Sequence, residues 1–264
     1  MFVQNTTLTT IRLSQNRLGV TQPQSLAYCK NLEVLVLSKT ELEGRFPFWL
    51  EALPNLQIFD LSNNNFSGPL SIKYTVNLIA MRNEERTQIS CLQYMGGQNQ
   101  YYQDSIVVVM KGLETELVKI LMVFTAIDFS SKSFEGEIPE ATGQLQALKG
   151  LNFSHKNLTA IIPYSIENSA NVEWLDLSSN RLIGNIPITL AHLSFLSYLN
   201  LSMNKLIGPI PRSTQIYAFK SDSFDGNLGL CGHPLPKAFG TDSQQSPPLT
   251  SPEDEEAETV HWIE

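Results

Sequence analysis

Several residue types are scarce in this chain, and each scarcity removes a class of function. Cysteine occurs three times in 264 residues, as Cys29, Cys91 and Cys231, which is no paired disulfide framework. The four histidines, His155, His192, His233 and His261, are scattered and lack the spacing of an H-E-x-x-H metal site. No G-x-S-x-G elbow, phosphate-cradling loop or kinase signature occurs, so we assign no catalytic, cofactor-binding or metal-binding residue and expect no enzyme. Basic residues are outnumbered 18 to 26 and the net charge is −8, which argues against nucleic acid as a partner. Long apolar runs are missing as well. The most hydrophobic stretch, residues 119–129, is broken by Thr125 and Asp128 and is too short to span a membrane. The first seven residues have no apolar core of a signal peptide.

What the chain has instead is a 24-residue period. Leu8, Leu32 and Leu56 open three units, and Phe124, Leu148, Val172 and Leu196 open four more at the same interval. Each unit approximates L-x-x-L-x-L-S-x-N-x-L-x-G-x-I-P, most cleanly over Val172–Pro187 and Leu196–Pro211. Leucines at this spacing and period are the signature of a leucine-rich repeat solenoid. The expected fold is an α/β-type superhelix with a concave parallel β-sheet, one insertion and a C-terminal cap. Strand side chains alternate faces, so the leucines of each L-x-L point inward and their neighbours outward. The ladder asparagines Asn16, Asn64, Asn180 and Asn204 should turn inward and bond the backbone of neighbouring coils. Gly44, Gly68, Gly136, Gly184 and Gly208 share one position, where a tight turn calls for positive φ. Pro23, Pro47, Pro139, Pro163, Pro187 and Pro211 stiffen the outer return path.

Three departures stand out. Thr40, Lys132 and Lys156 replace the ladder asparagine, and Ala160 replaces the turn glycine. Lysine accepts no hydrogen bond, so Lys156 should extend its ammonium to solvent. The period breaks between residues 71 and 121, a polar segment that ends in the alternating β-rich run Ser105–Met110. The expected organisation is three repeats over 1–70, an insertion over 71–121, four repeats over 122–212 and a cap over 213–240. Residues 241–264, with Glu253, Asp254, Glu255, Glu256 and Glu258, have the composition of a disordered acidic linker.

The G-x-I-P element Gly184-Asn185-Ile186-Pro187 resembles the plant-specific subclass of these repeats. Residues 102–237 are similar, phrase by phrase, to the membrane-proximal ectodomain of plant receptor-like proteins, the family of the Cf-type disease-resistance receptors. The matching phrases include Lys111-Gly112-Leu113-Glu114, Ala126-Ile127-Asp128-Phe129-Ser130, Tyr198-Leu199-Asn200-Leu201-Ser202 and Gly226-Asn227-Leu228-Gly229-Leu230-Cys231-Gly232. The resemblance covers nearly the whole chain. It implies an extracellular recognition module of an immune or developmental receptor, with 71–121 as its island and 241–264 as the linker outside the membrane. It also implies a parent protein at the outer face of the plasma membrane whose leader and membrane span lie outside this segment. The implied partners are a protein or peptide ligand and the ectodomain of a co-receptor kinase of the somatic-embryogenesis receptor type. The family's cap carries a second cysteine where this chain reads Ala238-Phe239, so the cap disulfide of Cys231 is expected to be lost. Two alternatives are a secreted inhibitor of pathogen cell-wall-degrading enzymes, a class that lacks a large insertion, and a truncated gene copy without activity.

Exposed strand positions follow from the alternation: Glu33, Val34 and Val36; Gln57, Ile58 and Asp60; Thr125, Ala126 and Asp128; and Gly150. The candidate partner-binding residues come from the later coils: Lys149, Asn152, Glu173, Trp174, Asp176, Ser197, Tyr198 and Asn200, with Trp174 and Tyr198 as an exposed aromatic pair. Five Asn-x-Ser/Thr sequons, at Asn5, Asn65, Asn152, Asn157 and Asn200, are glycosylation candidates.

Overall fold

A computed structural model describes residues 3, 6–19, 22–70, 73–82, 94–95, 105–130 and 134–236. The first three coils contribute β1 (Thr10–Arg12), β2 (Val34–Val36), β3 (Glu43–Arg45), β4 (Ile58–Asp60) and β5 (Asn65–Pro69). Two short helices follow, α1 (Lys73–Asn77) and α2 (Ile79–Arg82), and then the hairpin strands β6 (Ile106–Met110) and β7 (Leu113–Leu117). The period resumes with β8 (Ala126–Asp128), β9 (Phe134–Gly136), β10 (Gly150–Asn152), β11 (Asn157–Leu158) and β12 (Trp174–Asp176). The chain continues through β13 (Ile183–Asn185), β14 (Tyr198–Asn200), β15 (Lys205–Pro209), α3 (Thr214–Tyr217) and β16 (Gly229–Cys231).

Seven strands form one parallel sheet in the order β1-β2-β4-β8-β10-β12-β14. β4 pairs directly with β8, Phe59 opposite Ile127, so the sheet passes over the break in the period without a gap. Identical repeats on either side present the same edge, and the edges join. Shorter parallel ladders, β11-β9-β5-β3 and β13-β15-β16, run along the flank where the G-x-I-P segments stack. On the outer side, 3-10 turns at Gln24–Tyr28, Phe48–Ala52, Glu140–Gln144, Tyr164–Asn168 and Ile188–His192 each begin just after a repeat proline. Proline's fixed φ suits that entry, and its missing N–H is not needed there.

A continuous core fills the tube, with Leu35, Leu37, Leu61, Leu151, Leu175, Leu177, Leu199 and Leu201 all buried. Phenylalanines replace leucine near the break: Phe129 stacks on Phe153 at 5.5 Å and meets Phe59 edge-on at 4.9 Å. The asparagine ladder closes the backbone. Asn180 Nδ2 donates to the carbonyls of Phe153 (2.8 Å) and Leu177 (3.0 Å), and its Oδ1 accepts from Leu158 N–H at 3.1 Å. Asn64 and Asn204 repeat this pattern. Asn227 carries it into the cap, accepting from Leu206 N–H and donating to the Leu201 carbonyl. The five turn glycines have φ between 76° and 110°, and Ala160 is held at 63° in the same position.

Two expectations need correction, and one departure from the ladder proves harmless. Asn16 is exposed and bonds only the nearby Leu13 and Ser14 carbonyls, because no described coil precedes it. Thr40 fits the ladder, its hydroxyl 2.7 Å from the Leu37 carbonyl and its N–H donating to Asn64 Oδ1. Lys156 does not reach solvent: it is 4% exposed, with Nζ 4.4 Å from the centroid of the Phe134 ring. Burial lowers its pKa to about 7, against the opposing pull of the Asp128 charge. Cys29 and Cys231 are buried free thiols. Cys91, Lys132, Ala238, Phe239 and the 241–264 linker lie outside the described residues.

Candidate functional site

The concave sheet is not bare. The insertion folds back over it as the hairpin β6–β7, paired from Ile106 with Leu117 to Met110 with Leu113. Its two turn residues, Lys111 and Gly112, have φ of 55° and 77°, the positive values of a tight two-residue hairpin. The underside carries Ile106 and Val108, which pack with Val34, Val36 and Ile58 of the sheet and with Met95 and Ile120 in a second apolar core. Polar contacts tie it along its length. Arg12 of β1 donates to the Ser105 carbonyl at the base, and Lys39 bridges to Glu114 at 3.0 Å. At the tip, Gly112 approaches Tyr198 of β14 so closely that a Cβ there would lie 3.2 Å from the phenol oxygen. The hairpin therefore runs across the sheet from its first strand to its last.

This roof overturns the expected exposure of the strand positions. Val34, Val36, Gln57, Ile58, Asp60, Thr125, Ala126, Asp128 and Gly150 are buried, and Glu33 is half-buried. Among the candidate binding residues, Asn152, Trp174 and Asp176 are buried, Trp174 to 4% exposure. Lys149, Glu173, Tyr198 and Asn200 are half-buried, and Ser197 is exposed. Trp174 and Tyr198 are indeed cross-strand neighbours. Trp174, however, stacks on Phe124 at 5.6 Å instead of facing solvent.

Beneath the hairpin runs a polar column, one residue per strand: Asp60, Asp128, Asn152, Asp176 and Asn200. Each turns one side-chain oxygen back onto the N–H two residues on, Asp60 to Ser62 and Asp128 to Ser130. Asn152 Nδ2 donates to Asp128 Oδ2 at 3.1 Å, and the Tyr198 hydroxyl lies 3.4 Å from Asp176 Oδ2. Desolvation raises the Asp60 pKa; desolvation and then the Asp60 charge raise that of Asp128 to about 7. Desolvation, with Asp176 beside it, also raises that of Tyr198. A cavity of about 10 Å³, lined in part by Asp60, Val108, Asp128, Asn152 and Trp174, remains between roof and sheet. That is room for about one water. Among the described residues no His, Cys, Asp and Glu cluster could hold a metal, and no helix is long and apolar enough to cross a membrane.

Leucine rich repeat family models match residues 6–66 and 171–193. The chain is 49% identical over 271 aligned positions to Receptor-like protein 19 of Arabidopsis thaliana, covering 91% of itself and 28% of that protein. It is 41% identical over 151 residues to Receptor-like protein 32 of the same plant, covering 56% of itself and 17% of that protein. The chain belongs to the plant leucine-rich repeat receptor-like proteins. It spans less than a third of the length of either relative. Among solved structures, the ectodomain of the Arabidopsis receptor kinase HAESA, in complex with an IDA peptide hormone ligand, superposes with a TM-score of 0.54 at 27% identity. That match covers 83% of this chain and 33% of HAESA.

In this receptor-like chain the Lys111–Glu114 phrase is the tip of the roof, with Glu114 as its anchor to Lys39. Sequence reasoning did not reach that role. The signal was present in the alternation of Ile106 to Met110 and the two-residue Lys-Gly turn, which together mark a hairpin.

Proposed function

We propose that this chain is a non-catalytic recognition module, working at the outer face of the plasma membrane as part of a longer receptor-like protein. It binds a protein or peptide ligand along the hairpin and the open part of the concave face. Its last coils dock a co-receptor kinase ectodomain. The observation that supports this best is the surface left by the roof. Val107, Leu113, Val118 and Met122 are exposed on or next to the hairpin, Leu113 to 70%, and the later coils add the Lys149–Glu173 pair and the exposed Ser197. Exposed apolar groups rimmed by polar ones mark interaction sites on soluble proteins. HAESA, a relative in fold, is a receptor ectodomain that holds a peptide hormone.

The test is surface plasmon resonance with an immobilised co-receptor ectodomain of the somatic-embryogenesis receptor kinase type, in the presence of fractionated plant extracellular fluid. Fraction-dependent binding that is lost in Leu113→Asp (ligand side) and in Ser197→Arg (docking side) supports the reading. Binding equal in wild type and both variants, or no binding with any fraction, counts against it.

A further inference from the structure

The roof covers the only place in the described sheet where two carboxyl groups face each other across adjacent strands. Asp60 and Asp128 stand in register on β4 and β8, about 4.8 Å apart along the sheet. Both are buried, and Val108 and Val109 of the hairpin close over them. Valine side chains offer no donor, so the closing lid takes water from both carboxyls and its valines add no bond in exchange. The other groups around the pair are few. The Ser62 and Ser130 N–H groups, the Ser38, Ser62 and Ser130 side chains and Asn152 bond the carboxyl oxygens and offset part of the desolvation. Lys39 acts on Asp60, but its ammonium is held by Glu114 of the hairpin. Lys156 acts on Asp128 from inside the coil, over the Phe134 ring. Asp176 lies two strands further on, engaged by Ser178 and Tyr198. Among the described residues neither member of the pair is in a salt bridge.

We infer that the hairpin is a pH-responsive cover, closed over the Asp60–Asp128 pair under acidic conditions and released from the sheet as the pH rises. Closure places two like charges side by side in a dry space, and a proton on one of them relieves the conflict. Opening returns both carboxyls to water and to their ordinary acidity. The closed form therefore binds a proton that the open form gives up, since its Asp128 titrates near 7 and a solvated carboxyl near 4. Closure is fully favoured below about pH 4, weakens from there to about 7 and then levels off. The rest of the roof sets the balance: Ile106 and Val108 on Val34, Val36 and Ile58 hold it shut, and the Lys39–Glu114 bridge pins its far strand. A two-stranded hairpin has little stability of its own, so a released roof loses its amide protection as well as its contacts.

As regulation of a binding face the device rests on the recognition role proposed above, but it is tested without any ligand. The measurement is amide hydrogen exchange of β6 and β7, as protection factors corrected for intrinsic rate, between pH 5 and pH 8. Wild-type protection in the hairpin should fall by about tenfold to a hundredfold over that range, while β13 and β15 on the flank keep theirs. In Asp128→Asn the fall should shrink to what the desolvated Asp60 alone contributes. If that variant does not fold, Asp60→Asn carries the test, and the fall should shrink once the neighbouring charge is gone. A pH-independent hairpin in wild type, an undiminished fall in the variant, or an equal loss in β13 and β15 would overturn the inference. A failed ligand assay with this pH response intact would sink the recognition reading alone.

Discussion

The indole of Trp174 lies flat against the Cα of Gly150, its partner on the neighbouring strand. A Cβ on residue 150 would fall 1.7 Å from the indole Cζ2. The indole also stacks on Phe124, ring centroids 5.6 Å apart. This glycine is needed for room, not for an unusual φ, and it lets the largest side chain of the inner sheet lie down beneath the hairpin.

Gly150→Ala should therefore displace the indole and disturb the roof. A methyl forced into a packed contact costs about 1–3 kcal/mol. Thermal melting should show the loss, and tryptophan emission should shift to the red as Trp174 meets water. An unchanged melt with unchanged emission would mean the pair has slack that the geometry does not reveal.

Ala160→Gly should have the opposite effect. Five repeats place glycine at this turn with positive φ, and Ala160 adopts 63° with a Cβ that disfavours it. Relief of that strain, less the extra freedom glycine has when unfolded, leaves a gain of about 1 kcal/mol. Urea denaturation reads it directly; a midpoint that stays put or drops contradicts the strain argument.

Lys156→Asn restores the ladder residue and removes a buried amine. The folded-state pKa near 7 lies below the ordinary lysine value, so the folded form resists protonation. The resulting penalty is present in full below pH 7 and fades as the pH rises towards 10.5. Wild-type stability should thus climb across that alkaline window. The variant should lack the climb and be more stable at pH 6, by about 2 kcal/mol. Parallel stability–pH curves for the two proteins would refute this.

Glycan attachment should discriminate among the sequons. Asn65 and Asn157 are exposed on the flank ladder β11-β9-β5-β3. Asn152 is 5% exposed under the roof with its amide bonded to Asp128, and Asn200 is half-buried. Asn5 lies outside the described residues. In protein secreted from plant cells, peptide mapping should find glycan at Asn65 and Asn157 and none at Asn152. A fully occupied Asn152 would require the hairpin to stand off the sheet.

The coils were legible because each one repeats the local environment of its neighbour. Leucine spacing sets the strand register, the ladder asparagines bond backbone of their own coil and of the one before it, and turn glycines announce their φ. The fate of the two odd ladder residues was not legible. Threonine can still donate to the Leu37 carbonyl, whereas Lys156 is confined by coils stacked on both sides and ends beside an aromatic ring. The destination of the insertion was hidden for a different reason. Alternation along a strand tells which side chains leave the core, but calling them exposed assumes that nothing lies on that face. Here Ile106 and Val108 meet Val34, Val36 and Ile58, residues about 50 to 70 positions earlier in the chain. Such pairing is settled by matching apolar surfaces in space, so only the folded tube decided that the concave face is covered.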